Sequence, residues 1–224
     1  MPTLTPSLAE GLASHSPDLH SLATLIISEP QLVPSLFETI ESPPEACAKF
    51  AAAKLLQMLS EESPATLYPY FDSVVALLVN DNSFIRWPGI LALGNLAIVD
   101  RDNKLERILE QYLAPISGHQ MVDAANTIRG ATAIALAKPH LADRIARAIC
   151  SVERARYDKP ECRNVALGHA ILGLQKIFAI LHDQRAAELF VRRQRRNPRK
   201  ATRAKARNFA KKCATRRRGG SYAS

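Results

Sequence analysis

Aromatic residues make up only 6% of these 224 positions, with a single tryptophan, Trp87. A wall of rings of the kind that stacks on unpaired bases has little to be built from. Cysteine is scarce too. Cys47, Cys150, Cys162 and Cys213 are scattered, form no CxxC and stand in no Cys/His cluster at zinc spacing. Reduced, mostly buried thiols follow, as in intracellular proteins. No run approaches the roughly 20 apolar residues that cross a bilayer. The opening MPTLTPSLAEGLASHSPDLH has neither a positive start nor a long apolar core, so no signal peptide is expected. These absences point to a soluble chain without a membrane span, cytoplasmic, or nuclear in a eukaryote.

Chemistry is missing as well. There is no phosphate-cradling GxxxxGK[ST], no GxGxxG after a strand, no GxSxG and no HExxH. The six histidines (His15, His20, His119, His140, His169 and His182) pair with no carboxylate or cysteine in a local motif. No cofactor, no metal and no catalytic residue is expected. Strand–turn–strand patterning is absent too, which leaves helices.

The most regular stretch runs from Pro64 to Asp100. Leu67, Phe71, Val74, Val75 and Leu78 fall on one face of a first helix. Ile85, Ile90, Leu91, Leu93, Leu96, Ala97 and Ile98 give the second helix a wider apolar face. The corner between them, Asp81-Asn82-Ser83, is made of capping residues. Pro69 removes a backbone donor inside a helix, and Pro88 does the same or else sits in a start that frays as far as Arg86; each demands a local distortion.

This unit resembles a HEAT repeat: a proline-containing first helix, a short Asp/Asn corner, then Ile85-Arg86 followed by small residues and Leu93-Gly94. The resemblance implies that Asp81 caps the inner helix and that Arg86, with Arg129 and Arg163, joins a ladder of structural charges. The same plan recurs along the chain. Leu32-Val33-Pro34 matches Leu67-Tyr68-Pro69 at an offset of 35, and Lys49-Phe50 matches Arg86-Trp87 at 37. Arg129-Gly130 and Arg163-Asn164 follow at 43 and 34, spacings that suit a helix-pair repeat. Small residues such as Gly89, Gly94, Gly130, Gly168 and Gly173 cost about 1 kcal/mol each in a helix interior, so they are expected to mark close helix contacts.

The fold expected is all-α: a right-handed solenoid of about four and a half HEAT-like hairpins over residues 16–183. A loose lead-in at 1–15 precedes it and a basic tail at 184–224 follows. An irregular helical bundle is the rival. The first helix is expected from Pro17, capped by Ser16. The polar segment Ser151–Pro160 is expected as a long loop with Tyr157 exposed on it.

Charge divides the chain sharply. Residues 1–183 hold 15 Lys+Arg and 20 Asp+Glu, whereas residues 184–224 hold 15 basic residues and one acid, Glu188. Residues up to about Arg196 have a short apolar patch (Ala186, Ala187, Leu189, Phe190, Val191) that could extend the last helix. Asn197-Pro198 is a break. Residues 199–214 mix alanine with Lys and Arg, and self-repulsion makes them a disordered segment that turns helical against an anion. Gly219-Gly220 and the last four residues are expected to lack structure. The candidate nucleic-acid-binding residues are Arg192, Arg193, Arg195, Arg196, Arg199, Lys200, Arg203, Lys205, Arg207, Lys211, Lys212, Arg216, Arg217 and Arg218, because Lys and Arg neutralise phosphates and release counterions.

The function expected is a non-enzymatic scaffold that holds a protein partner on its inner-helix surface and reaches DNA or RNA through the tail. RRQRRNPRK also resembles a nuclear import signal. Two alternatives come from the resemblance. HEAT-like-repeat alkylpurine DNA glycosylases would use residues such as Arg86, Trp87, Asp123 and Arg129, and a chaperone or lyase-like HEAT-repeat protein would serve a cofactor-bearing partner.

Overall fold

The computed structural model describes residues 8–41 and 46–219, and every regular element among them is helical. Two compact units divide the chain, residues 1–105 and 106–224.

The first unit starts earlier than the sequence suggests. Helix α1 (Leu8–Ala13) buries Leu8 and Leu12, so the lead-in assigned to residues 1–15 contains a packed helix. Helix α2 (Leu19–Ser28) is capped by Asp18, whose carboxylate accepts from the Ser21 amide at 3.2 Å. Asp18 therefore replaces Ser16 as the cap, and an anion suits the positive end of a helix. Helices α3 (Val33–Glu41) and α4 (Ala46–Glu62) form the next hairpin.

Proline sets the shape of the central pair. Pro69 cannot donate to the preceding turn, and the first helix accordingly breaks into α5 (Pro64–Leu67), a 3-10 turn at Tyr68–Tyr70 and α6 (Phe71–Ala76). A second 3-10 turn, Leu77–Val79, winds more tightly than an α-helix. That shift buries Leu77 and leaves Leu78 only half-buried. Helix α7 (Ser83–Leu96) runs unbroken through Pro88. It ends before Ile98, which is exposed rather than part of the apolar face. Helix α4 is the hub of the unit: α1, α2, α3 and α7 all pack against it, and its Ala52, Leu55, Leu56 and Leu59 are buried.

The corner before α7 corrects the expected cap. Asn82, not Asp81, accepts from the Phe84 amide at 3.0 Å. Asn80 accepts from the Asn82 amide at 2.9 Å. The Arg86 guanidinium reaches back to donate to the Asn80 and Asp81 carbonyls, tying the corner to the helix it starts. Below it, buried Asp100 accepts from the amides of Lys104 and Leu105 and from the Tyr68 hydroxyl. The first two bonds cap α8 (Lys104–Arg107).

The second unit repeats the hairpin plan. Helix α9 (Leu109–Leu113) and a 3-10 turn at Ala114–Ser117 precede α10 (Met121–Ala137), and α11 (Ala142–Cys150) precedes α12 (Pro160–Ile177). Then come α13 (Gln184–Gln194) and α14 (Lys200–Gly219). Helix α12 packs against α10 on one side and α14 on the other. Two glycines permit this. A Cβ on Gly173 would stand 2.9 Å from both Ile128 and Thr132 of α10, and one on Gly168 would stand 3.2 Å from Thr202 and Lys205 of α14.

The segment expected as an exposed loop is partly ordered. Ser151–Arg154 is a 3-10 turn, and Tyr157 is half-buried, its hydroxyl donating to the Ile116 carbonyl at 2.8 Å. Burial pushes that phenol up to about 12. No disulfide joins the four cysteines, but Cys47 is exposed, and Cys150, Cys162 and Cys213 are half-buried rather than buried.

The largest departure concerns residues 199–214, expected to be disordered. From Lys200 onward they lie in α14, which buries Thr202, Ala206 and Phe209. Phe209 meets Phe178 edge-to-face at 5.2 Å. Each buried ring contributes on the order of 1.5–3 kcal/mol, enough to offset the mutual repulsion of exposed charges. Gly219, expected to lack structure, closes α14, and residues 220–224, expected to be unstructured as well, lie outside the described residues.

Candidate nucleic-acid interface

The basic segment is a helical hairpin, and its apolar residues decide which cations face outward. In α13 the buried positions are Ala187, Phe190, Val191 and Gln194. Arg192, Arg193, Arg195 and Arg196 fall between and beyond them, so all four are exposed. Asp183 caps the start, accepting from the Ala186 amide at 3.2 Å. The end is closed by Asn197, whose side-chain amide donates to Gln194 at 3.0 Å, and by Pro198, which cannot continue the helix.

Asn197 also builds the start of α14. Its side-chain oxygen accepts from the Arg199 amide at 2.9 Å, and Arg203 reaches back to the carbonyls of Asn197 and Pro198 at 2.7 and 2.6 Å. Asn80 and Arg86 hold the corner before α7 in the same way, with the same six-residue spacing. The corner between α13 and α14 thus has the construction of the corner before α7.

Several candidate residues prove to be fasteners. Arg193 binds Glu153 in a bidentate pair, at 2.6 Å from Nη2 and 2.9 Å from Nε, and Gln194 shares that carboxylate at 2.6 Å. Arg199 pairs with Glu161 at 2.9 Å. Arg203 is held by backbone carbonyls. Lys205 leans over Gly168, where burial lowers its ammonium below the usual lysine range, with Arg199 adding to the effect. His169 beside it is held below the ordinary imidazole value, first by burial and then by the Lys205 charge.

The remaining cations are available. Among the described residues, the side chains of Arg192, Arg195, Arg196, Lys200, Arg207 and Lys212 have no hydrogen-bonded or ionic partner. A cleft of about 720 Å³ is lined by Arg192, Arg193, Arg195, Arg196 and Arg207. Its lining is guanidinium from both helices, and only Arg193 is neutralised by a described acid. The side chains of Arg216, Arg217 and Arg218 lie outside the described residues.

The other sites named from sequence are dispersed. Trp87 sits half-buried on α7 with its ring 5.4 Å from that of Phe84, which lies 5.3 Å from Phe50 of α4. Phe84 is 60% exposed, so unit one carries a small surface cluster of rings. Asp123 lies in the first turn of α10, and Arg163 is exposed on α12. Among the described residues no group of three or more His, Cys, Asp and Glu converges to hold a metal ion, and no helix is long and apolar enough to cross a membrane. Sequence reading missed Glu153 and Glu161, which anchor the basic hairpin. The signal was their spacing of 40 and 38 residues from Arg193 and Arg199.

No protein-family model, no curated protein and no solved structure matches this chain.

Proposed function

We propose that this protein is a non-enzymatic scaffold of HEAT-like helical hairpins, forming a right-handed solenoid, whose last hairpin attaches it to the phosphate backbone of a nucleic acid. The observation that carries this reading is the arginine cleft between α13 and α14. Guanidinium forks suit phosphate oxygens, and released counterions supply the driving force. The repeat reading is supported within unit two by side-chain pairs that join successive hairpins at nearly constant sequence separation. Glu106–His140, Glu110–Arg144 and Ser117–Ser151 are each 34 residues apart. Inner helices α4, α7, α10, α12 and α14 also begin at regular intervals, at residues 46, 83, 121, 160 and 200. A protein partner would sit on the inner-helix surface, at the exposed rings of Phe50 and Phe84 beside the half-buried Trp87.

The test is substitution rather than truncation, because deleting residues 184–224 would strip a packed face of α12. A variant with Arg192, Arg195, Arg196 and Arg207 all changed to Ala is expected to keep its melting temperature and to lose at least tenfold in affinity for DNA or RNA. Unchanged affinity with an intact fold would sink the proposal.

A further inference from the structure

Helix α14 presents an unusual exposed face. Ala201, Ala204, Arg207, Asn208, Lys211 and Lys212 are all exposed and follow one another at helical spacing. This face has no acid and no large apolar residue. Its first turns are alanine, which lets another surface approach the backbone closely. Its middle carries Arg207 beside Asn208, and Asn208 is the one uncharged polar side chain of the set, without a partner among the described residues. Arg207 also lines the arginine cleft, so the helix face is continuous with Arg192 of α13 and with Arg195 and Arg196 just beyond it.

We infer that α14 lies in the major groove of B-form DNA, with Arg207 and Asn208 at base edges and Arg192, Arg195 and Arg196 on the flanking phosphates. This rests on the nucleic-acid reading above and adds a groove and two reading residues to it. The dimensions agree. A helix of 20 residues is about 30 Å long and 10–12 Å across, and the B-DNA major groove is about 12 Å wide. The A-form groove of duplex RNA is too deep and narrow for side chains to read. Phosphate contacts alone need no asparagine. An Asn amide can bond adenine N6 and N7 together, and a guanidinium can bond guanine O6 and N7, so this pair on successive helix positions has the chemistry to read adjacent base pairs.

The experiment uses the full chain and fluorescence anisotropy with a mixed-sequence DNA duplex of about two helical turns and an RNA duplex of the same sequence. The DNA is also tested after saturation with methyl green, which fills the major groove, or netropsin, which fills the minor. The DNA duplex is expected to bind at least tenfold tighter than the RNA, with methyl green blocking and netropsin leaving affinity unchanged. Sequences selected from a random duplex pool should be preferred by roughly tenfold over unselected DNA, a preference lost in Asn208→Ala. Equal binding of RNA, displacement by netropsin alone, or a selected preference unaltered in Asn208→Ala would each overturn the groove assignment and leave phosphate binding standing. Failure to bind either duplex would overturn both.

Discussion

Arg192 and Arg193 are neighbours with opposite duties, and their surroundings assign them. Arg193 is clamped by Glu153 and Arg192 has no partner among the described residues. Replacing Arg193 by Ala leaves a partly buried carboxylate without its bidentate partner, which should cost about 1–2 kcal/mol and lower the melting temperature. Arg192→Ala should leave melting unchanged and weaken polyanion binding. Thermal denaturation and an anion titration of the two variants separate these roles. Gly173 provides a second residue-level check. Alanine gains helix propensity there but collides with Ile128 and Thr132, so Gly173→Ala should destabilise by about 1–3 kcal/mol, measured by urea unfolding. Titration supplies a third. The folded His169 imidazole binds its proton less readily than the unfolded one. The unfolded state therefore takes up more protons as pH falls below about 6.5, and stability declines there with acid. A His169→Gln variant should show a shallower loss of stability between about pH 6.5 and 5 than the parent.

At the scale of elements, the basic hairpin is where sequence reasoning and structure part. Its apolar positions are visible in the sequence, as Ala187, Phe190, Val191 and Phe209. They are diluted among 15 basic residues, whose mutual repulsion masks the two aromatic anchors. The sequence spacing holds the better clue. Stepping 40 residues beyond Arg163 reaches Arg203, and Asn197 stands before it as Asn80 stands before Arg86. The caps show the same limit at smaller size. A cluster such as Asp81-Asn82-Ser83 announces a helix start, but which of three acceptors reaches the amide depends on backbone angles that composition does not carry. If α14 is packed as described, trypsin should cut slowly between residues 184 and 213 despite the many Lys and Arg sites, and Phe209→Ala, costing about 3–5 kcal/mol, should open that region to rapid cleavage. Fast cleavage of the parent within this hairpin would contradict its packing on α12.

At the scale of the molecule, the helical class was legible, because apolar periodicity acts locally. Charge was legible as a division between body and tail, but the structure draws the division elsewhere. Residues 1–105 hold 5 Lys+Arg and 12 Asp+Glu, and residues 106–224 hold 25 and 9. One folded unit is acidic and the other strongly basic, so the excess positive charge belongs to a folded unit rather than to a loose appendage. A rigid cationic surface also loses less conformational entropy on binding than a chain that must first order. The direct test is the slope of log affinity against log salt for duplex DNA, compared between the parent and the variant lacking Arg192, Arg195, Arg196 and Arg207. Each phosphate contact contributes about −0.9 to that slope. The four substitutions should therefore make it shallower by roughly 3 to 4 while the variant stays folded. A slope unchanged by the four substitutions would mean that the arginine cleft does not hold the nucleic acid.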